Sequence, residues 1–303
     1  MSDSPHPPSR RDALDSTGDL AELIRRAYDA DGQPPFSDGS LVALNRDERR
    51  LVWLHGVAAA IVSDTEAEFV VDPDARLRGH GRAMLHELLV TASGDLFIWA
   101  HGDHPAARAL ARKHGMPAVR ELLQLRAAVG AGVGAGGAVS TGSTRGFRVG
   151  VDEDAWVELN ARAFAGHPEQ GAVTRDDLNV LMAEPWFDAD DFLLMWDGEK
   201  LVGYCWLKID GGEVSTGSTS GERGSVGEFY VVGVAPERQG EGLGRRLVEA
   251  GLAHLAERGI REASLYVEAD NTPALRLYRS FGFANHSIDI QYRWRSEPSD
   301  TFI

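Results

Sequence analysis

Apolar positions change period along the second half of the chain, and each change marks an element. "EFYVVGV", Glu228 to Val234, is β-branched and aromatic, which predicts a strand. Beyond a polar, glycine-rich turn, Leu243, Leu247, Val248, Gly251, Leu252 and Leu255 recur at helical spacing, and Gly259 offers the stop. "EASLYVEAD" then alternates Ala263, Leu265 and Val267 with Ser264, Tyr266 and Glu268, a strand with two unlike faces. A last helix is predicted from Asn271 or Thr272 with Pro273 in its first turn; Ala274, Leu277, Tyr278 and Phe281 share one side and Gly282 ends it.

The pattern breaks in three places. Residues 1–16, rich in Pro, Ser, Asp and Arg, read as a disordered tail, with structure starting near Leu20. "VGAGVGAGGAVSTGSTRG", residues 129–146, has no large side chains to build a core and reads as a flexible linker. "GGEVSTGSTSGERGSVG", residues 211–227, lies between strand-like segments and reads as an extended hairpin loop. Domains are therefore expected over 17–128 and 147–303. The halves also share an internal repeat. Val71, Gly79, Gly81 and Arg82 fall on Val234, Gly242, Gly244 and Arg245 without a gap. In "HGDHPAARALARKHGM" and "EADNTPALRLYRSFGF", Asp103, Ala107, Leu110, Arg112 and Gly115 match Asp270, Ala274, Leu277, Arg279 and Gly282. Two matched blocks in the same order point to a tandem duplication.

Composition narrows the class. The 303 residues are enough for two ordinary domains, and 43% hydrophobic with 25% charged residues describe a globular protein. No apolar run approaches the roughly 20 residues of a membrane span, and the N-terminal residues lack the apolar core of a secretory signal. The single cysteine, Cys205, forms no internal disulfide, and with the missing signal this places the protein in the cytoplasm. A formal charge of −15 disfavours attachment to nucleic acid or to an anionic membrane, so an anionic ligand has to be held locally.

The glycine loop is where that can happen. A strand running through a glycine turn into a helix leaves backbone N–H groups unpaired, with the helix dipole favouring negative charge. Gly240, Gly242 and Gly244 let a pyrophosphate approach the chain, while Arg238, Arg245 and Arg246 offer charge to offset it. An ordinary βα turn remains the plain alternative. A P-loop would end in Gly-Lys-Ser/Thr, whereas Arg245 and Arg246 follow Gly244 here.

"QGEGLG", Gln239 to Gly244, preceded by "YVVGVAPER", resembles the acetyl-CoA signature Gln/Arg-x-x-Gly-x-Gly/Ala of the GNAT acetyltransferase family, and "DNTPALRLYRSFGF" resembles its later motif. "ARLRGHG" carries the same signature through Arg76, Gly79 and Gly81, so the resemblance spans most of both halves. "HPEQG", "GEFYVVGV" and "SLYVEADN" are similar to tandem-domain members of that family. The resemblance implies an α/β (α+β) fold of two tandem GNAT-like domains, each a mixed, mainly antiparallel sheet flanked by helices. It implies acetyl-CoA as co-substrate, a small-molecule amine as acceptor, and direct transfer without an acyl-enzyme.

By the same resemblance, Val232, Gly233 and Val234 hold the acetyl and pantetheine part, and Gln239, Gly240, Glu241, Gly242, Leu243, Gly244 and Arg245 hold the pyrophosphate. Asn271, Thr272, Pro273, Ala274, Leu275 and Arg276 complete the cofactor wall. A second acetyl-CoA site in the first half would use Phe69, Val70 and Val71 with Arg76, Leu77, Arg78, Gly79, His80, Gly81 and Arg82. Glu228 is the candidate general base, acting through a water, and Tyr278 the candidate acid for the departing thiolate. Locally, Glu228 also reads as an exposed strand-end carboxylate and Tyr278 as a packing residue. Glu228 lies six residues before Val234; six before Val71 stands Thr65, and the counterpart of Tyr278 is Ala111. The first copy is thus expected to lack both proton-transfer groups, and catalysis is expected in the second.

Asp38, Glu169, Lys208, Glu228 and Tyr266 fit positions that touch the acceptor, although Asp38 and Glu169 read equally well as solvated loop acids. Cys205 sits among apolar residues in "VGYCWLK" and reads as a small buried hydrophobe, not a nucleophile. The ten histidines show no metal-ligand spacing, so no metal is expected, and the chain is taken as a monomer. Two other readings stay open: a GNAT enzyme for another primary amine, such as a polyamine, aminoglycoside or protein N-terminus, and a non-catalytic acetyl-CoA-binding module.

Overall fold

The computed structural model describes residues 10–130, 144–166, 170–209 and 226–296. Residues 131–143 of the expected linker, 211–225 of the expected hairpin loop, and Glu169 lie outside the described residues. Two compact units make up the rest: described residues up to Leu122 together with those from Ser287, and described residues from Leu123 to His286. Among the described residues no helix is long and apolar enough to cross a membrane.

The first unit runs α1 (Arg10–Asp31), α2 (Asp38–Asn45), β1 (Arg50–Leu54), β2 (Ala58–Val62), β3 (Glu66–Val71), α3 (His80–Thr91), β4 (Leu96–Ala100) and α4 (Pro105–Lys113). α1 begins at Arg10, inside the stretch expected as a tail. β2 is buried at every position because helices cover both its faces. Alternation sends Ala59 and Ile61 to the cluster of Leu20, Leu23 and Ala27, and Ala58, Ala60 and Val62 to that of Met84, Leu85 and Leu88.

β5 (Ala118–Ala128) leads into the second unit, which continues with β6 (Thr144–Gly146), α5 (Glu153–Ala163), α6 (Arg175–Met182), β7 (Phe192–Asp197), β8 (Lys200–Ile209) and β9 (Val226–Val234). α7 (Leu243–Glu257), β10 (Glu262–Glu268) and α8 (Thr272–Arg279) follow in the predicted order. Leu247, Val248, Leu252 and Leu255 of α7 are all buried, as their spacing requires. β11 (Ala284–Trp294) is the last described strand, and its residues from Ser287 complete the first unit. There β11 pairs antiparallel with β4, Tyr292 opposite Ile98, and buries Ile290 and Tyr292 in the α3-side core.

Strand order is β1-β2-β3-β4-β11 in the first unit and β5-β10-β9-β8-β7-β6 in the second. The sheets are mixed and mainly antiparallel, in agreement with the expected fold class. β3 with β4 and β9 with β10 are the parallel pairs described, and both stop early. β3 pairs with β4 only from Glu66 to Glu68, and β9 with β10 only from Val226 to Phe229. Past those points the pairing stops, so among the described residues Phe69–Val71 and Tyr230–Val234 have no strand paired on that side.

Candidate active site

Each splayed strand runs into a glycine loop of the same shape. After β9 a single 3-10 turn, Pro236–Arg238, leads to Gly240 and Gly242, whose φ angles of 84° and 81° lie in the left-handed region. Gly242 is the N-cap of α7 and supplies no side-chain cap, so the first-turn N–H groups stay available to an anion. The first unit repeats this: Pro73–Ala75, then Leu77 at φ 59°, then Gly79 at 91° as the uncapped start of α3. Leu77 holds the place of Gly240. The third glycine serves packing instead: a Cβ on Gly244 would lie 3.3 Å from Leu277, and one on Gly81 3.5 Å from Leu110.

The arginines differ from expectation. Arg238 is ion-paired with Asp197 and Glu241, each at 2.7 Å, and Arg76 with Asp31 at 2.6 Å. Arg245 donates to Ser280 Oγ at 2.9 Å and lies 5.0 Å over the Phe281 ring. The charge that Arg238 was expected to lend is thus already shared with the protein's own carboxylates, as is that of Arg76 in the first unit. The cradle rests more on backbone amides and the helix dipole.

In the first unit a cavity of about 490 Å³ opens at the splay, walled by Phe69, Val71, Trp99, Leu110 and Tyr292 among others. In the second unit the splay separates two differently equipped faces. A Cβ on Gly227 would collide with Leu255 of α7, and one on Gly251 of α7 would meet the Phe229 ring and Cys205 Sγ, so Gly227 and Phe229 face α7. Glu228, between them, turns to the other face, opposite Lys208 of β8 and Ser264 of β10. Tyr266, two residues beyond Ser264, shares that face; it is 45% exposed, and its hydroxyl accepts from Gln124 Nε2 at 2.9 Å. The structure therefore brings Glu228, Lys208 and Tyr266 to one face, while Asp38 opens α2 in the first unit.

Tyr278 belongs to the α7 side. Its ring packs edge-on to Phe283 at 5.8 Å, and Phe283 packs on Phe229 at 5.9 Å. Burial, with the Cys205 thiol nearby, pushes the Tyr278 phenol well above its ordinary value. Cys205 itself is fully buried, which pushes its thiol up and leaves it inert.

Sequence reading missed three residues on the Glu228 face. Register between β8 and β9 shifts at Trp206 and Leu207, which lie opposite Val231 and Phe229, so Tyr230 is the extra residue of a β-bulge. Its ring lies 5.1 Å from that of Trp186, and Lys208 Nζ stands 5.6 Å over the Trp186 ring. Burial raises the Tyr230 phenol, and the charges of Glu228 and Glu184 add to it. No motif marks Trp186 or Glu184; the available signal was a tryptophan set between acids in "AEPWFD".

The bulge also corrects the comparison between halves. β3 pairs with β2 in unbroken register, so stepping back from Val71 without the extra residue reaches Glu66, not Thr65, as the counterpart of Glu228. The first unit therefore keeps a carboxylate there. It is engaged by Arg49 Nη2 at 2.7 Å and Gln291 Nε2 at 3.1 Å, and buried Ala111 holds the place of Tyr278.

Residues 154–283 match the model of the acetyltransferase (GNAT) family. Over 96% of each chain the sequence is 45% identical to a mycothiol acetyltransferase from Clavibacter sepedonicus. The chain belongs to the mycothiol acetyltransferase family. A family member from Catenulispora acidiphila is 49% identical over 90% of this chain and 94% of its own. Among solved structures, a tandem GNAT protein from the clavulanic acid biosynthesis pathway shares the fold at TM-score 0.65 and 18% identity, covering 95% of this chain and 97% of that one. A GNAT acetyltransferase from Sphaerobacter thermophilus does so at 0.62 and 22% identity, covering 92% of each.

Proposed function

We propose that the protein transfers the acetyl group of acetyl-CoA to the cysteinyl amine of desacetylmycothiol, giving mycothiol, at the β9–β10 splay of the second unit. The observation that carries this is the placement of Glu228 and Tyr278 on opposite faces of one sheet, with a gap in strand pairing beside them. The gap accepts the thioester; the pyrophosphate lies on the α7 N-terminus.

An amine next to a carbonyl has a pKa of about 7.7–8.0, so only modest base assistance frees its lone pair. The nitrogen attacks the thioester carbon, and an unpaired N–H of Tyr230–Val234 steadies the developing oxyanion. A C–N bond forms and the C–S bond breaks. Glu228, through a water, takes the proton the nitrogen loses, and the departing thiolate takes its proton from solvent water. Tyr278 remains protonated because its phenol is raised, and a thiol titrates near 8.5. Its part is therefore to donate a hydrogen bond to the thiolate as it leaves. Glu66, held by Arg49 and Gln291, and Ala111 leave the first unit without this pair, so we assign it a non-catalytic second acetyl-CoA site. The reading keeps the chain a cytoplasmic monomer.

The test is incubation with acetyl-CoA and desacetylmycothiol, spermidine, an aminoglycoside and an N-terminal peptide, with products read by mass spectrometry. Gain of one acetyl on the cysteinyl nitrogen of desacetylmycothiol alone is expected. Acetylation of another amine instead, or of none, overturns the assignment.

A further inference from the structure

Trp186 lies against Tyr230 and Lys208 on the Glu228 face without a place in the mechanism above. It is partly buried, with its indole against Trp206 at 5.7 Å and Tyr230 at 5.1 Å, so its plane is held by two large rings. Over that plane lies the Lys208 ammonium, 5.6 Å from the centroid and within the range of a cation–π contact. Lys208 is also the direct cross-strand partner of Glu228, and such partners have Cβ atoms about 5 Å apart. The arrangement thus sets a cation of fixed position beside the candidate base.

We propose that Trp186 determines acceptor specificity, positioning the Lys208 ammonium beside Glu228 to receive hydroxyl groups of a polyhydroxylated acceptor. This rests on the acetyl-transfer reading given above. A lysine side chain has many rotamers, and much of that freedom is lost when a ligand immobilises it. An indole that holds the ammonium beforehand removes part of that cost. Hydroxyl oxygens can accept from the ammonium, whereas an acceptor without hydroxyls gains nothing from it. The bulge at Tyr230 completes the support, because the extra residue places its ring against Trp186.

The test is steady-state kinetics on the full chain with desacetylmycothiol and acetyl-CoA, after thermal melts show the variants folded. W186L keeps apolar bulk and removes the aromatic face; W186F keeps a face. W186L is expected to raise the acceptor KM roughly tenfold and W186F no more than about threefold, with the acetyl-CoA KM unchanged in both. K208M should match W186L, and the double variant should be no worse than the poorer single one. An unchanged acceptor KM in W186L, equal effects of W186L and W186F, or independent effects of W186L and K208M overturn the proposal and leave acetyl transfer standing. A wild-type protein inactive on desacetylmycothiol removes the parent reading and this one with it.

Discussion

Tyr278 shows how one residue can satisfy two readings at once. It packs on Phe283 as an apolar stripe demands, and its phenol is the polar end that meets the leaving sulfur in the proposed reaction. A hydrogen bond to a charged group contributes about 1.5–3 kcal/mol, so Tyr278→Phe should lower kcat roughly 10- to 100-fold while acetyl-CoA binding, read by calorimetry, stays within about twofold. Normal turnover would return Tyr278 to packing alone. Both Tyr278 and Glu228 were legible in the sequence because they lie inside matched motifs. Trp186 and Glu184 were not, since they follow α6 in a stretch without periodicity and reach the site only through β8–β9 register. Nor was the pairing of Arg76 with Asp31, a contact 45 residues apart that composition does not announce.

At the scale of elements, the two glycine loops have one backbone and different residues. Leu77 is fully exposed and sits at φ 59°, where Gly240 sits at 84°, so it bears left-handed strain with no burial in return. That conformation costs an L-residue about 1–2 kcal/mol. Added glycine freedom in the unfolded chain offsets about 0.4–1 of it. Leu77→Gly should therefore raise the melting temperature of the protein by a few degrees, and a lower one would mean the side chain has a support its exposure hides. Strands, helices and loop glycines were readable here because periodicity and glycine placement are local. The Tyr230 bulge was not, because one extra residue in a strand of suitable residues leaves the hydrophobic pattern intact; counting through it led to Thr65 in place of Glu66.

Over the whole molecule, the least legible feature is that β11, the last described strand, belongs from Ser287 on to the first unit, an assignment no local signal carries. Asp289 of that strand stands 3.0 Å from His101 Nδ1, and His101 Nε2 lies 3.4 Å from Glu68. Glu68 also accepts from the Ser37 amide at 2.8 Å and Ser40 Oγ at 2.7 Å. Burial opposes charge on both groups, yet Asp289 and Glu68 hold His101 up at about 9, and His101, Ser40 and Ser37 hold Glu68 down at about 2. The His101 contribution is full below its ordinary 6.5 and is lost as pH rises through about 9. That of Glu68 is full above 4.5 and is lost as pH falls through about 2. Urea unfolding should show the first unit losing stability as pH climbs from 6.5 to about 9, and His101→Gln should flatten that limb; an unchanged limb in the variant would assign it elsewhere. In the proposed reaction acetyl transfer runs at the second splay, with Glu228 on the amine side. The most direct test is kcat of Glu228→Gln on desacetylmycothiol across pH, with acetyl-CoA affinity measured alongside. A loss of roughly 10²- to 10⁴-fold with affinity preserved is expected, and an unaltered kcat across pH would remove Glu228 from the role of base.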